Sequence, residues 1–187
     1  MDHADHVALL RGGVREAGGT WADLGSGSGA FTLALAELLG DGATIHSVDR
    51  DAPALRAQAY EMGRQFPGVT LVQHTADFRA PLPLPDDLDG IVMANSLHFV
   101  DRAEQSQVLG ALAEHVRPGG SVLVVEYDTD TGNSWVPNPF SAASWPSLAG
   151  QAGLVDPRLL HRVPSRWLGA IYAAEATRPG STDASRS

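Results

Sequence analysis

Residues 21–29 read Trp-Ala-Asp-Leu-Gly-Ser-Gly-Ser-Gly, and an acid, Asp49, closes the next apolar run. These residue types in this order can cradle a nucleotide-type ligand. An apolar strand ending at Leu24 is turned into a helix starting near Ala30 by Gly25, Ser26, Gly27, Ser28 and Gly29. Glycine reaches backbone dihedrals closed to other residues and lets a ligand come close to the main chain. The helix N-terminus beyond offers free N–H groups and partial positive charge, which suit a carboxylate or phosphate. An ionised carboxylate accepts several hydrogen bonds, so Asp49 at the following strand end suits a pair of ribose hydroxyls. Asp23, just before the first glycine, places a second carboxylate where a cationic group can meet it.

In open parallel α/β sheets ligands bind beyond the carboxyl ends of the strands. The rule adds three more segments: Asp77-Phe78, Asn95-Ser96-Leu97-His98-Phe99, and the stretch from Glu126 onward. Arg117-Pro118-Gly119-Gly120 precedes the run Ser121-Val122-Leu123-Val124-Val125-Glu126. The string Gly25-Ser26-Gly27-Ser28-Gly29-Ala30 by itself also satisfies the G-x-G-x-x-A dinucleotide pattern. Taken together over residues 20–126, the order of motifs resembles the class I S-adenosylmethionine-dependent methyltransferases.

The resemblance implies S-adenosylmethionine as cofactor. The loop Gly25, Ser26, Gly27, Gly29 approaches its methionine and ribose portion, and Asp23 meets the cationic methionine end. Asp49 holds both ribose hydroxyls. Asp77 accepts from the adenine amino group, with Phe78 and Arg50 flanking the ring. Asn95 and the residues after it face the sulfonium methyl. No Asn/Asp-Pro-Pro-Tyr/Phe string occurs, which disfavours amide and exocyclic-amine acceptors, whereas Asn95-Ser96-Leu97-His98 looks like a pattern of small-molecule methyltransferases. His98 is a general base for a hydroxyl or amine acceptor or, alternatively, a residue that caps the next turn and shapes the pocket. Catechol-type relatives hold magnesium with an Asp where this chain has Asn95, so no metal is expected. The other histidines show no ligand spacing.

Two rival functions fit the same residues: an NAD(P)-binding oxidoreductase domain and a non-catalytic methyltransferase-like domain that binds a cofactor or a protein. The chain has no lysine and so no Tyr-x-x-x-Lys pair for hydride chemistry.

The net charge of −9 in 187 residues, with no basic run, argues against a nucleic-acid partner. The expected partner is a small-molecule acceptor. Cysteine is absent, so disulfides and thiolate metal sites are excluded. No signal segment and no apolar run of membrane-spanning length stand out, so no membrane partner and a cytoplasmic location are expected.

The elements that must position these residues read as strands at 20–24, 43–48, 69–73, 88–94 and 121–126, alternating with helices at 3–17, 30–39, 53–66 and 101–116. Gly18-Gly19 ends the first helix, and Asp101 is the N-cap of the last. Strand–helix alternation implies a parallel sheet with right-handed crossovers. Residues 127–143 form a long loop. Its Tyr127, Asn133, Trp135, Asn138 and Phe140 form the acceptor pocket or, alternatively, pin the loop to the core. A helix near 144–152 precedes strands at 158–164 and 167–176. Their short connection makes them antiparallel, and Trp167 and Tyr172 pack this hairpin. The fold class expected is therefore α/β, a doubly wound, mostly parallel seven-stranded sheet with an antiparallel C-terminal hairpin. Residues 1–177 form a single domain and 178–187 a disordered tail. With only about 20 residues before the glycine motif, no large lid is available. The acceptor site is then open, covered by the N-terminal helix, or completed by a second subunit in a homodimer.

Overall fold

A computed structural model describes residues 1–165 and 168–180. The elements run α1 (His3–Arg11), β1 (Thr20–Leu24), α2 (Ala30–Leu39), β2 (Thr44–Asp49), α3 (Ala52–Gln65), β3 (Thr70–Thr75) and β4 (Leu88–Ala94). A 3-10 turn (Leu97–Phe99) follows, then α4 (Gln105–Ala113), β5 (Val116–Tyr127), α5 (Trp145–Gln151), β6 (Val155–Ser165) and β7 (Gly169–Thr177). The seven strands lie in the order β3-β2-β1-β4-β5-β7-β6. β1, β2, β3, β4 and β5 are mutually parallel, and β7 runs antiparallel to both β5 and β6. The expected sheet is present. The chain leaves β1 toward β2 on one side and β4 toward β5 on the other, so the loops after β1 and β4 part and leave a crevice between them.

Both faces of the sheet are buried, and side-chain alternation sorts the residues between them. Val122 and Val124 of β5 join Leu109 and Leu112 of α4 and Trp145 of α5. Leu123 and Val125 join Leu9 and Leu10 of α1 and Leu35 and Leu39 of α2. In β1 the same alternation sends Ala22 and Leu24 to the first face and Trp21 to the second. Asp23 shares the parity of Trp21, so its carboxyl is driven toward α2.

Several boundaries depart from the sequence reading. α1 ends at Arg11 with Gly12 as its C-cap, six residues short of the expected end at residue 17, because Gly12-Gly13 comes before Gly18-Gly19. α4 starts at Gln105, and Asp101 is not its N-cap; that place falls to Glu104, whose side chain makes no capping bond. The preceding residues form a turn instead, held by Arg102, which donates to the carbonyls of Asp130 and Pro139 at 2.9 and 2.7 Å. Val116, expected in that helix, begins β5 opposite Leu88. Arg178, expected in the tail, belongs to the fold: its N–H donates to Gly120 O, its carbonyl accepts from Gly119 N, and its guanidinium reaches Glu114 O and Val116 O. Tyr172 is buried in the hairpin; Trp167 and residues 181–187 lie outside the described residues.

The hairpin is locked by a buried carboxylate. Glu175 on β7 is 1% exposed and accepts from Arg15, Arg158 and Ser121 at 2.9, 2.8 and 2.7 Å. The arginine side chains are about half exposed. Stranding a buried charge costs about 3–5 kcal/mol. Arg15→Ala/Arg158→Ala is expected to lose that much in urea unfolding. Glu175→Gln loses less, because both arginines can return to water. Equal losses for the two variants contradict this account.

Candidate active site

The cradle begins where β1 ends. Gly25 N and Ser26 N both donate to Val48 O at the end of β2, at 2.8 and 3.1 Å. Ser96 Oγ donates to Leu24 O at 2.7 Å, tying the ends of β4 and β1 together. The three loop glycines all have positive φ, yet they serve different ends. A Cβ on Gly25 would stand 2.4 Å from Cβ of Ser96, and one on Gly29 2.4 Å from Cγ of Gln58. These two glycines admit the protein's own side chains. Of the three, only Gly27 has open space where a side chain would stand. Asp49 stands beside it, with Oδ2 accepting from Gly27 N at 2.7 Å and Oδ1 from Asp51 N at 2.8 Å. No side chain caps the N-terminus of α2.

Asp23 lies behind this loop. Its Oδ2 accepts from the Thr32 hydroxyl at 2.6 Å, while Oδ1 is buried with no hydrogen-bond partner. Burial lifts the Asp23 carboxyl to about 7; the Thr32 hydrogen bond opposes that rise and the charge of Asp49 adds to it. A second buried acceptor without a partner is Asn95 Oδ1. Asn95 follows the last residue of β4 with φ 51°, a left-handed conformation that Asn tolerates better than most residues. Two buried acceptors without partners, near a glycine with open space beside it, suit a ligand that brings a cationic, hydrogen-donating group, as the methionine end of S-adenosylmethionine does.

A cavity of about 330 Å³ opens in the crevice. Of the residues expected at a cofactor site, Gly25, Asp49, Arg50, Asp77, Phe78 and Asn95 line it together. Asp23, Ser26, Gly27 and Gly29 stand around it without forming its wall. Sequence reasoning missed Arg79. Its guanidinium grips Asp77 at 2.6–3.1 Å and, by hydrogen bonding, holds the Asp77 carboxyl down to about 2. The signal was present in the spacing Asp77-x-Arg79, with one residue between the charges.

His98 sits in the turn after β4, buried, with Nδ1 2.8–2.9 Å from both carboxylate oxygens of Glu126. Glu126 Oε1 also accepts from Tyr127 N at 2.8 Å. The imidazole lines neither this cavity nor the next one described.

The loop after β5 shapes a second cavity, about 450 Å³, lined by Tyr127, Asn133, Trp135, Val136 and Leu168. Asn133 Oδ1 accepts from Trp135 N and Val136 N at 2.8 and 3.0 Å, a side-chain turn that holds the indole outward. Trp135 is 84% exposed. Two residues expected in this pocket are elsewhere. Phe140 is in the core, against Trp145 and Tyr172, and its carbonyl accepts from Tyr172 OH at 2.9 Å. Asn138 ties the loop down through its backbone: its N–H donates to His98 O and its carbonyl accepts from Gln105 Nε2. Asp128 and Asp130 are spent on the same task, accepting from Ala142 N and from Ser141. Among the described residues no group of three or more His, Asp or Glu side chains could hold a metal. Among them, too, no helix is long and apolar enough to cross a membrane.

Residues 22–120 match the family model described as a methyltransferase domain. The ribosomal RNA small subunit methyltransferase H of Acidobacterium capsulatum is 34% identical in an alignment 116 positions long that covers 53% of this chain. The chain spans only 38% of that relative's length. Among solved structures, the YcgJ protein of Bacillus subtilis superimposes with a TM-score of 0.73 at 14% identity, over 95% of this chain and all of that one. The Burkholderia thailandensis 1,6-didemethyltoxoflavin-N1-methyltransferase, solved with S-adenosylhomocysteine, gives 0.73 at 16% identity over 95% and 78%. The likeness to these structures is one of fold. The family match covers more than half of the sequence and takes in the glycine loop, Asp49, Asp77 and Asn95 together; the chain belongs to the methyltransferase-domain family and has the fold of S-adenosylmethionine-dependent methyltransferases.

Proposed function

We propose that this enzyme methylates a small molecule held by the loop after β5, with the cofactor in the crevice between β1 and β4. The observation that carries the reading is the second cavity. It lies on the same sheet edge as the cofactor loops and pairs aromatic walls with a few polar groups. An indole left 84% exposed on a hydrogen-bonded turn is apolar surface awaiting a partner. The formal charge of −9 supports a small acceptor over RNA, even though one relative by name acts on ribosomal RNA.

Bound S-adenosylmethionine supplies a methyl group already activated on a sulfonium, so alignment of the acceptor is the main demand on the protein. Alignment of this kind is worth about 7–11 kcal/mol. In this reading Asp49 takes the ribose hydroxyls, since each of its oxygens keeps a lone pair beyond its present backbone bond. Asp77 takes the adenine amino group once the Arg79 guanidinium yields one of its contacts. Phe78 and Arg50 flank the ring. Asn95 Oδ1, in the wall of the first cavity, accepts from the ligand. His98, clamped by Glu126 and absent from both cavity walls, packs its ring near Phe99 of the first cavity and Tyr127 of the second and holds Asn138 through its carbonyl; the general-base role has no geometric support.

Asp23 supplies a pH dependence. Its folded pKa lies above the unfolded value of about 4, so its contribution to the stability of ligand-free protein is present at low pH and lost as pH rises through about 7. Meeting an ammonium requires the ionised form. S-adenosylhomocysteine affinity is therefore expected to weaken as pH falls below about 7, by up to about ten-fold per unit, and Asp23→Asn should flatten the profile. Calorimetric titration across the range checks it; a flat wild-type profile contradicts it.

Labelled-methyl transfer to metabolite extracts and to ribosomal RNA tests the acceptor class. The label is expected in a small molecule, and label in RNA alone overturns the reading. Trp135→Ala is expected to cut acceptor methylation about ten-fold or more while shifting stability by less than about 0.5 kcal/mol, as exposed positions do. A large stability loss removes Trp135 from the pocket.

A further inference from the structure

Beneath the cavity the glycine loop and Asp23 are joined by a chain of side chains. Ser26 Oγ lies 2.7 Å from Ser47 Oγ, and Ser47 Oγ donates to Gln58 Oε1 at 2.7 Å. Gln58 Nε2 donates to Thr32 Oγ1 at 2.6 Å, and Thr32 donates to Asp23 Oδ2 at 2.6 Å. Gln73 Nε2 donates to Gln58 Oε1 at 2.8 Å and to Leu55 O at 2.6 Å.

The direction of each proton follows from the ends. An ionised carboxylate only accepts, so Thr32 donates to Asp23 and must accept from an amide N–H. That orients Gln58 with its oxygen toward Ser47 and Gln73. Ser47, its proton spent, accepts from Ser26. Both ends of the relay therefore present acceptors, Asp23 Oδ1 and the Ser26 hydroxyl oxygen.

Gln58 is an unusual occupant of its place. α3 buries Leu55, Gln58 and Met62 at helical spacing, and the middle position is fully enclosed. An amide there is a burden unless hydrogen-bonded. The chain makes room for it at Gly29, where a side chain would collide with Gln58 Cγ.

We propose that Gln58 is a positioning residue for the methionine end of the cofactor: it holds Ser26 on one side and Thr32 and Asp23 on the other, so that the acceptors around the glycine loop keep their place and polarity. This rests on the reading that the loop and Asp23 receive that end of S-adenosylmethionine. A merely structural amide would affect all ligands, or none, through stability.

The test compares S-adenosylhomocysteine with 5′-methylthioadenosine, which lacks the aminocarboxylate. Gln58→Met keeps the length and removes the amide. S-adenosylhomocysteine affinity is expected to fall about ten-fold, the scale of a lost hydrogen bond involving a charged group, with methylthioadenosine affinity unchanged. If Gln58→Met does not fold, Thr32→Val severs the last link alone and is read in the same way. Where both variants fold, the double variant should lose no more than the larger single loss. Equal loss for both ligands, or a lowered Tm with neither affinity changed, overturns the proposal. Failure of the wild-type protein to bind S-adenosylhomocysteine overturns the functional reading instead.

Discussion

Asp23 is inside the protein because a strand alternates. With Ala22 and Leu24 facing α4 and α5, its side chain must face α2, where water does not reach. A carboxyl in that position needs partners, and the structure gives it one hydroxyl and leaves one oxygen open. Much of the local architecture answers that demand. Thr32 is fully buried in the first turn of α2, Gln58 is fully buried in α3, and Gly29 is bare so that the two helices can approach. The unpartnered oxygen is a standing cost, one that the cationic ligand proposed above would remove.

Close contact also explains why the crevice keeps its shape. Ser96 bonds to Leu24 O across the gap between β4 and β1, and Gly25 has no side chain to obstruct it. On the other side, Asn138 N and the Gln105 amide fasten the long loop after β5 to the turn that carries His98. The His98–Glu126 pair is buried between these parts. The crevice edge and the loop after β5 are thereby joined by hydrogen bonds.

The sheet and the glycine cradle were legible in the sequence because both rest on local patterns. Apolar runs alternate with helical spacing, and Gly25, Gly27 and Gly29 mark a turn that needs positive φ. One rule, that ligands gather at the carboxyl ends of strands, groups Asp49, Asp77 and Asn95, and the three line one cavity. What escaped notice depends on contacts between distant residues. Asp101 looked like an N-cap, but Arg102 is drawn to carbonyls of the loop some thirty residues away and the helix starts later. Phe140 and Trp135 are both aromatic residues of one loop, and only the hairpin beneath decides which is buried. Gln58 has a visible trace, a lone amide between Leu55 and Met62 on a buried stripe, yet its partners come from β2, β3 and α2. Arg79 shows only as a charge beside an acid, and its grip on Asp77 is a matter of side-chain reach.

The account turns on which cofactor the crevice accepts. The partial overlap of the glycine loop with a dinucleotide pattern makes the comparison with NAD the sharpest one. Thermal unfolding should be followed with S-adenosylhomocysteine and, separately, with NAD. A ligand held only by the folded state stabilises it by about 2.7 kcal/mol at a hundred times its Kd. The account predicts a concentration-dependent rise in Tm with S-adenosylhomocysteine and none with NAD. A rise with NAD and no response to S-adenosylhomocysteine would contradict it.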